Sequence, residues 1–233
     1  MKVVSTLDRP RYPWKEIPGS SHQLLLARML SLPEGIAVLD LGFGAGLLAR
    51  RIRGRCRYLA GIELDPEAAR EGAAYFDDPV VGDLLSGLGG PWRFPFDVVV
   101  AGDILEHLPQ PEQALEQIRG LLVPGGLLLA SLPNAANVTV RLALLAGQFP
   151  YADRGILDRT HLRFYTRRSG RELLERSGFA VRRVEATAMP VELALPALGR
   201  PPFAGAVRAS AALLSRLKPT LFGYQFVYEA VPA

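Results

Sequence analysis

The chain has 233 residues, with 27 Lys and Arg against 23 Asp and Glu, for a formal net charge of +4. Hydrophobic residues make up 49% and charged residues 21%, a balance that excludes a disordered polymer and suits one globular domain with a sizeable core. Cys56 is the one cysteine and His22, His107 and His161 are the only histidines, so no internal disulfide forms and no metal centre is expected.

Residues 1–19 are rich in proline and charge and read as an irregular arm. They lack a secretory apolar run, and no later stretch reaches the ~18 apolar residues of a membrane span, so a cytoplasmic location is expected. Residues 21–32 form a short apolar helix with Ser20 or Ser21 as its cap. Strand and helix then alternate, which is the pattern of a parallel sheet covered on both faces. A strand at 36–41 leads into a helix reaching about residue 53, and 58–62 is a second strand. Asp65-Pro66-Glu67 opens a helix with an acidic cap, a proline in the first turn and a carboxylate facing the dipole. A brief third strand covers 79–81. The unbroken apolar run at 96–101 suits a fourth strand buried on both sides. Pro111 starts a helix in which Ala114, Leu115, Ile118, Leu121 and Leu122 recur at helical spacing. A fifth strand spans 127–132, Thr166 caps another helix that Gly178 ends, and 179–184 is a sixth strand. The last strand spans 224–231.

Two stretches break this rhythm. Residues 134–165 form an insertion, and 187–222 form a second irregular segment in which 204–217 looks helical. Long insertions in a compact α/β domain are usually functional, so the acceptor pocket is expected there. The organisation is a single domain over 1–233: arm and first helix at 1–35, core at 36–186 with its insertion, closing segment at 187–233.

The first strand-to-helix junction reads Val38-Leu39-Asp40-Leu41-Gly42-Phe43-Gly44-Ala45-Gly46. Glycines let the backbone turn tightly and a ligand approach, and the following helix points unpaired N–H groups at that ligand. Leu47 occupies the place of the last glycine in a dinucleotide fingerprint, which disfavours a pyrophosphate and a nicotinamide-dependent oxidoreductase.

This junction resembles the first motif of class I S-adenosylmethionine (SAM) dependent methyltransferases, with Phe43 where many members carry cysteine. The resemblance extends to Glu63, at the position that receives the ribose hydroxyls, and to Asp83-Leu84, at the position that meets adenine. Phe96-Asp97-Val98, the stretch from Asp103 to Leu108, and Leu122-Val123-Pro124-Gly125-Gly126 are similar to the small-molecule O-methyltransferase branch. Pro133-Asn134 and the run from Gly155 to Thr166 are similar to a bacterial subfamily of methyltransferase domains. The resemblance implies a doubly wound, mostly parallel seven-stranded sheet with an antiparallel last strand. It also implies SAM as cofactor and S-adenosylhomocysteine (SAH) as product, bound through Asp40, Gly42, Gly44, Gly46, Glu63, Asp83 and Leu84.

Methyl transfer from a sulfonium is an in-line displacement in which the protein aligns the acceptor and excludes water. A hydroxyl acceptor also benefits from a base, and Asp103, His107 and His161 are the candidates. For each a second reading stands: cofactor contact for Asp103, a structural hydrogen bond for His107, a pinned loop for His161. Arg154, Arg159 and Arg163 share a loop with His161, Tyr151 and Tyr165 and suit a phosphate or carboxylate on the acceptor. Arg167, Arg168, Arg171 and Arg176 read as a solvated helix face. The Asn/Asp-Pro-Pro-aromatic motif of base-amine methyltransferases is replaced by Ala101-Gly102-Asp103-Ile104, and Cys56 lies away from the site, so nucleic acid is not the expected acceptor. The apolar residues Val191, Leu193, Leu195, Leu198, Leu213, Leu214, Leu221 and Phe222 suit a cover for the core or a homodimer interface. The expected function is methyl transfer to an oxygen, or else a nitrogen, of a small molecule. A SAM-binding module without catalysis is the alternative.

Overall fold

A computed structural model describes residues 19–189 and 204–233. The arm at 1–18 and Val191, Leu193, Leu195 and Leu198 lie outside the described residues. Helix α1 (Ser21–Ser31) precedes β1 (Ile36–Leu41), the short α2 (Ala49–Ile52) and β2 (Cys56–Glu63). Then come α3 (Pro66–Gly72), β3 (Asp78–Val81), α4 (Leu84–Gly87), β4 (Phe96–Gly102), a 3₁₀ turn (Leu105–His107) and α5 (Pro111–Leu121). The chain continues through β5 (Leu122–Pro133), α6 (Val138–Leu145), α7 (Arg167–Arg176) and β6 (Phe179–Ala186). It closes with α8 (Ala204–Leu217), α9 (Pro219–Phe222) and β7 (Gln225–Pro232).

The seven strands make one sheet in the order β3-β2-β1-β4-β5-β7-β6, with β7 antiparallel to both of its neighbours. Central strands are apolar throughout because helices cover both faces. Alternate residues of one strand therefore feed different cores: Leu39 and Leu41 join Val99, Leu115 and Tyr228, while Val38 joins Leu25, Leu59 and Val100. Side-chain caps fix where the helices start. Asp65 Oδ1 accepts from Glu67 N at 2.9 Å ahead of Pro66, and Thr166 with Ser169 forms a capping box at α7.

The structure departs from the sequence expectation in three places. The helix after β1 does not begin until Ala49, because Gly44 and Gly46 hold positive φ values of 53° and 71° that no α-helix accommodates. Strand β5 starts at Leu122, with a register shift opposite Phe96–Val98 that absorbs the Gly125-Gly126 turn into the strand. The insertion contains α6, whose start is capped by Asn137 accepting from Thr139 N at 3.0 Å.

Helix α7 meets β7 through Gly170. A Cβ there would stand 2.5 Å from Tyr228 Oη and 3.0 Å from Leu132 Cδ1, both fully buried side chains. Alanine gains about 1 kcal/mol of helix propensity over glycine, whereas overpacking a core costs about 1–3 kcal/mol. Gly170→Ala is therefore expected to lower the urea midpoint at unchanged m-value, and an unchanged or raised midpoint would show that Tyr228 can yield.

Candidate active site

The site lies where β1, β2 and β4 end at their carboxyl edge. After β1 the chain turns back on β2: Gly42 N donates to Ile62 O at 2.8 Å, and Gly46 N donates to Phe43 O at 2.8 Å. Gly42, Gly44 and Gly46 all have positive φ (66°, 53° and 71°). Gly46 is also held by space, with Gly72 Cα 3.0 Å from an added Cβ, while Gly42 faces the movable tip of a side chain. A Cβ on Gly42 would lie 2.1 Å from Ile104 Cδ1, and one on Gly46 would lie 2.9 Å from Tyr75 Cδ2. The loop thus has only backbone to offer a ligand on its open side.

Glu63 ties this loop to β2. Its Oε2 accepts from Gly44 N at 2.7 Å and its Oε1 from Asp65 N at 2.8 Å. Each oxygen retains a lone pair for a further donor, so the carboxylate is oriented and still able to accept. Asp83 caps α4, accepting from Ser86 N at 3.2 Å, and Leu84 is buried behind it. Phe43 folds inward onto Phe76, ring centroids 4.3 Å apart, over a bare patch of β2 at Gly61. A Cβ on Gly61 would lie 2.5 Å from Phe43 Cδ1. The sequence reading passed over Gly61, although a glycine inside a strand is a signal of close approach.

The turn after β4 carries the other group. Asp103 has φ 56° and is the described non-glycine residue with positive φ. Its Oδ1 accepts from Ser131 Oγ and from Gln225 Nε2 at 2.8 Å, its Oδ2 accepts from Ser21 Oγ at 3.5 Å, and its N donates to Ser131 Oγ at 2.9 Å. Ser21, Ser131 and Gln225 come from α1, β5 and β7, and each reads in sequence as an ordinary element terminus or core polar residue.

His107 and His161 come together from the turn and the insertion, with ring centroids 4.8 Å apart. His107 Nδ1 faces Thr160 O at 3.2 Å and His161 Nδ1 faces Ile156 O at 3.1 Å. A carbonyl accepts only, so His161 Nδ1 carries the proton in the neutral ring and Nε2 is left as its basic nitrogen, while His107 Nδ1 also faces Thr160 Oγ1 at 3.3 Å. Burial, and then the neighbouring His107, hold the His161 imidazole below its ordinary value of 6.5. Glu106, the residue before His107, is fully buried, and its carbonyl accepts from Leu162 N at 2.9 Å and Arg163 N at 3.1 Å. Sequence reasoning missed Glu106. Ligating atoms of Glu106, His107 and His161 all lie within 4.8 Å of one another. Tyr224, also missed, is half-buried against Gly155, and burial with the charge of Asp103 pushes its phenol to about 12.

Of the arginines on the insertion, Arg159 pairs with Asp153 at 2.9 Å and Arg163 donates to Pro109 O at 2.6 Å. Tyr165 is buried and its strand bridge to Asn134 places it in the fold rather than beside them.

Asp40 stands on β1 opposite Gly61, 5% exposed. Burial, and then the charge of Glu63, raise its carboxyl from 3.8 to about 7. Its native pKa lies above the unfolded one, so the native state binds the extra proton between those values and the group weighs against folding as pH rises towards 7. Asp40→Asn is expected to raise Tm more at pH 8 than at pH 5, and a pH-independent shift would overturn that reading.

A family model described as a methyltransferase domain matches residues 16–184. The ubiquinone biosynthesis O-methyltransferase of Xanthomonas axonopodis pv. citri (strain 306) is 30% identical over 151 residues, 61% of this chain and 61% of that protein. This chain therefore spans under two thirds of the length of that relative. Among solved structures, a SAM-dependent methyltransferase from Archaeoglobus fulgidus matches with a TM-score of 0.60 at 20% identity, covering 92% of this chain and 95% of that one. Magnesium protoporphyrin IX methyltransferase from Synechocystis PCC 6803 with bound SAH matches at 0.59 and 18% identity, covering 91% and 82%. At these identities the structural matches speak for the fold alone. Glycine loop, sheet order and family match agree: the chain belongs to the methyltransferase-domain family, within the class I SAM-dependent methyltransferases.

Proposed function

We propose that this chain transfers the methyl group of SAM to a hydroxyl oxygen of a small molecule, with His161 as the base. The observation that carries this reading is the His107–His161 pair at the mouth of the cofactor loop. Ile104, three residues before His107, packs against Gly42, so the histidines and the loop share one rim. A neutral imidazole in that place accepts the hydroxyl proton as the oxygen attacks the methyl carbon. The relative from Xanthomonas axonopodis pv. citri, an O-methyltransferase by name, supports oxygen as the acceptor atom. The ammonium of an amine acceptor must lose its proton before it can attack, whereas a phenol, with its pKa of about 10, loses its proton to a neutral histidine during the transfer itself.

In this reading Gly42, Gly44 and Gly46 give backbone to the methionine part of SAM, Glu63 accepts from the ribose hydroxyls, and Asp40, Asp83 and Leu84 complete the cofactor side. SAM supplies an activated methyl group, so the chain's own task is alignment, exclusion of water and removal of one proton. An acidic group on the acceptor would meet the arginines of the insertion.

Calorimetric titration with SAH tests the cofactor side: Glu63→Ala is expected to weaken binding about ten-fold or more, the loss of a charge-assisted hydrogen bond pair. Equal affinity in the variant would remove Glu63 from the site. SAH release with a panel of phenols tests the acceptor side. The rate is expected to be flat above pH 6.5 and to fall as pH drops through a value below it, because His161 must be neutral. His161→Gln is expected to abolish that limb and to slow turnover about 10²–10⁴-fold. An unaltered pH profile in the variant would assign the proton elsewhere.

A further inference from the structure

We infer that the projecting end of α6 and the loop after it form a docking surface for an anionic lipid bilayer. Only the root of this excursion is packed: Val140 meets Ile156, Leu157 and Tyr224 in a small apolar cluster of its own. Beyond it every residue from 144 to 154 is exposed. Exposed loops are ordinarily polar, yet here Leu145 is 84% exposed, Leu142 61%, Tyr151 55% and Leu144 53%. Phe149 is exposed too, its ring 5.1 Å from that of Tyr151 and 5.5 Å from that of Phe164. The ledge is therefore continuous, apolar and raised from the body.

Its rim selects the occupant. Arg141, Arg154 and Arg159 are all exposed around the ledge, and the exposed acid within it, Asp153, is paired with Arg159 at 2.9 Å. Leucine and aromatic side chains with a collar of arginine are what a helix at a membrane surface presents: apolar groups enter the acyl boundary while the cations meet anionic headgroups. A second copy of the chain fits less well, because a two-fold contact through this ledge would set the arginines of one copy against those of the other. The described residues contain no helix long and apolar enough to cross a membrane, so the contact is one of lying on the surface. His161 is within reach of the ledge, its ring 6.2 Å from that of Phe164, so docking turns the candidate site towards the bilayer.

The test is co-sedimentation of the full chain with large vesicles of phosphatidylcholine alone or with an equal part of phosphatidylglycerol. The wild type is expected to pellet with the anionic vesicles and to be released by high salt. Leu144→Ser/Leu145→Ser and, separately, Arg141→Glu/Arg154→Glu are each expected to weaken that binding about ten-fold or more, given roughly five-fold per arginine at an anionic surface. SAH binding and thermal melting kept by each variant show that it is folded, and neither readout depends on an acceptor. A wild type that stays in solution, variants that bind as tightly, or equal binding to both vesicle types would overturn the inference. So would a dimer in light scattering that the leucine variant dissolves, since the ledge would then be covered by a second copy.

Discussion

The carboxylate of Asp103 is the point on which the site hangs. Its residue holds a left-handed backbone, which costs a side-chain-bearing residue about 1–2 kcal/mol. Hydrogen bonds from Ser131 and Gln225 onto one of its oxygens, each worth about 0.5–1.5 kcal/mol, offset that strain. The donors belong to β5 and β7, and Ser21 on α1 closes the other side. The turn is thus dictated by three elements far apart in the chain. Without it, Ile104 would leave Gly42 and the turn that carries Glu106 and His107 would lose its place against the insertion.

Charge divides the site into two halves with opposite demands. Beside the glycine loop, burial and then Glu63 raise the Asp40 carboxyl to about 7. A cation brought beside it would favour its ionised form, so the buried acid is receptive to positive charge and adverse to negative. On the other side burial, and then His107, lower the pKa of the His161 imidazole from its ordinary value. One half thus favours an arriving cation, and the other keeps a lone pair available. Both shifts arise chiefly from desolvation, which the sheet supplies for Asp40 and the insertion supplies for His161.

Much of the fold was legible because it rests on local rules. Strand runs buried on both faces, the Asp65-Pro66 start and the Thr166 cap all announce themselves within a few residues. The glycine loop was legible as a ligand site, but the start of the helix after it was not, since positive φ at Gly44 and Gly46 delays it. The partners of Asp103 were not legible. Nothing in the neighbourhood of Ser131 or Gln225 marks them as donors to a residue 28 or 122 positions away. Glu106 escaped for a related reason: its contribution to the insertion runs through its carbonyl, which every residue possesses. The partners of the insertion's arginines were not legible either: Arg159 turns to Asp153 and Arg163 to the Pro109 carbonyl.

The insertion shows how one chain can join a fixed half to a variable one. Both of its ends are bound tightly: Leu162 N and Arg163 N donate to Glu106 O, Ala135 N donates to Tyr165 O, and Asn134 and Asn137 donate to the Gly223 carbonyl. Its tip leaves Leu142, Leu144, Leu145, Phe149 and Tyr151 in the open. A segment anchored at its base fixes His161 against His107, because that base is where the hydrogen bonds are. The same segment leaves its tip free of the constraints that govern the core, so the tip can change without moving the histidines. Surface chemistry at 141–154 and base chemistry at 156–165 are therefore separable, although they lie on one continuous excursion between the fifth strand and its helix.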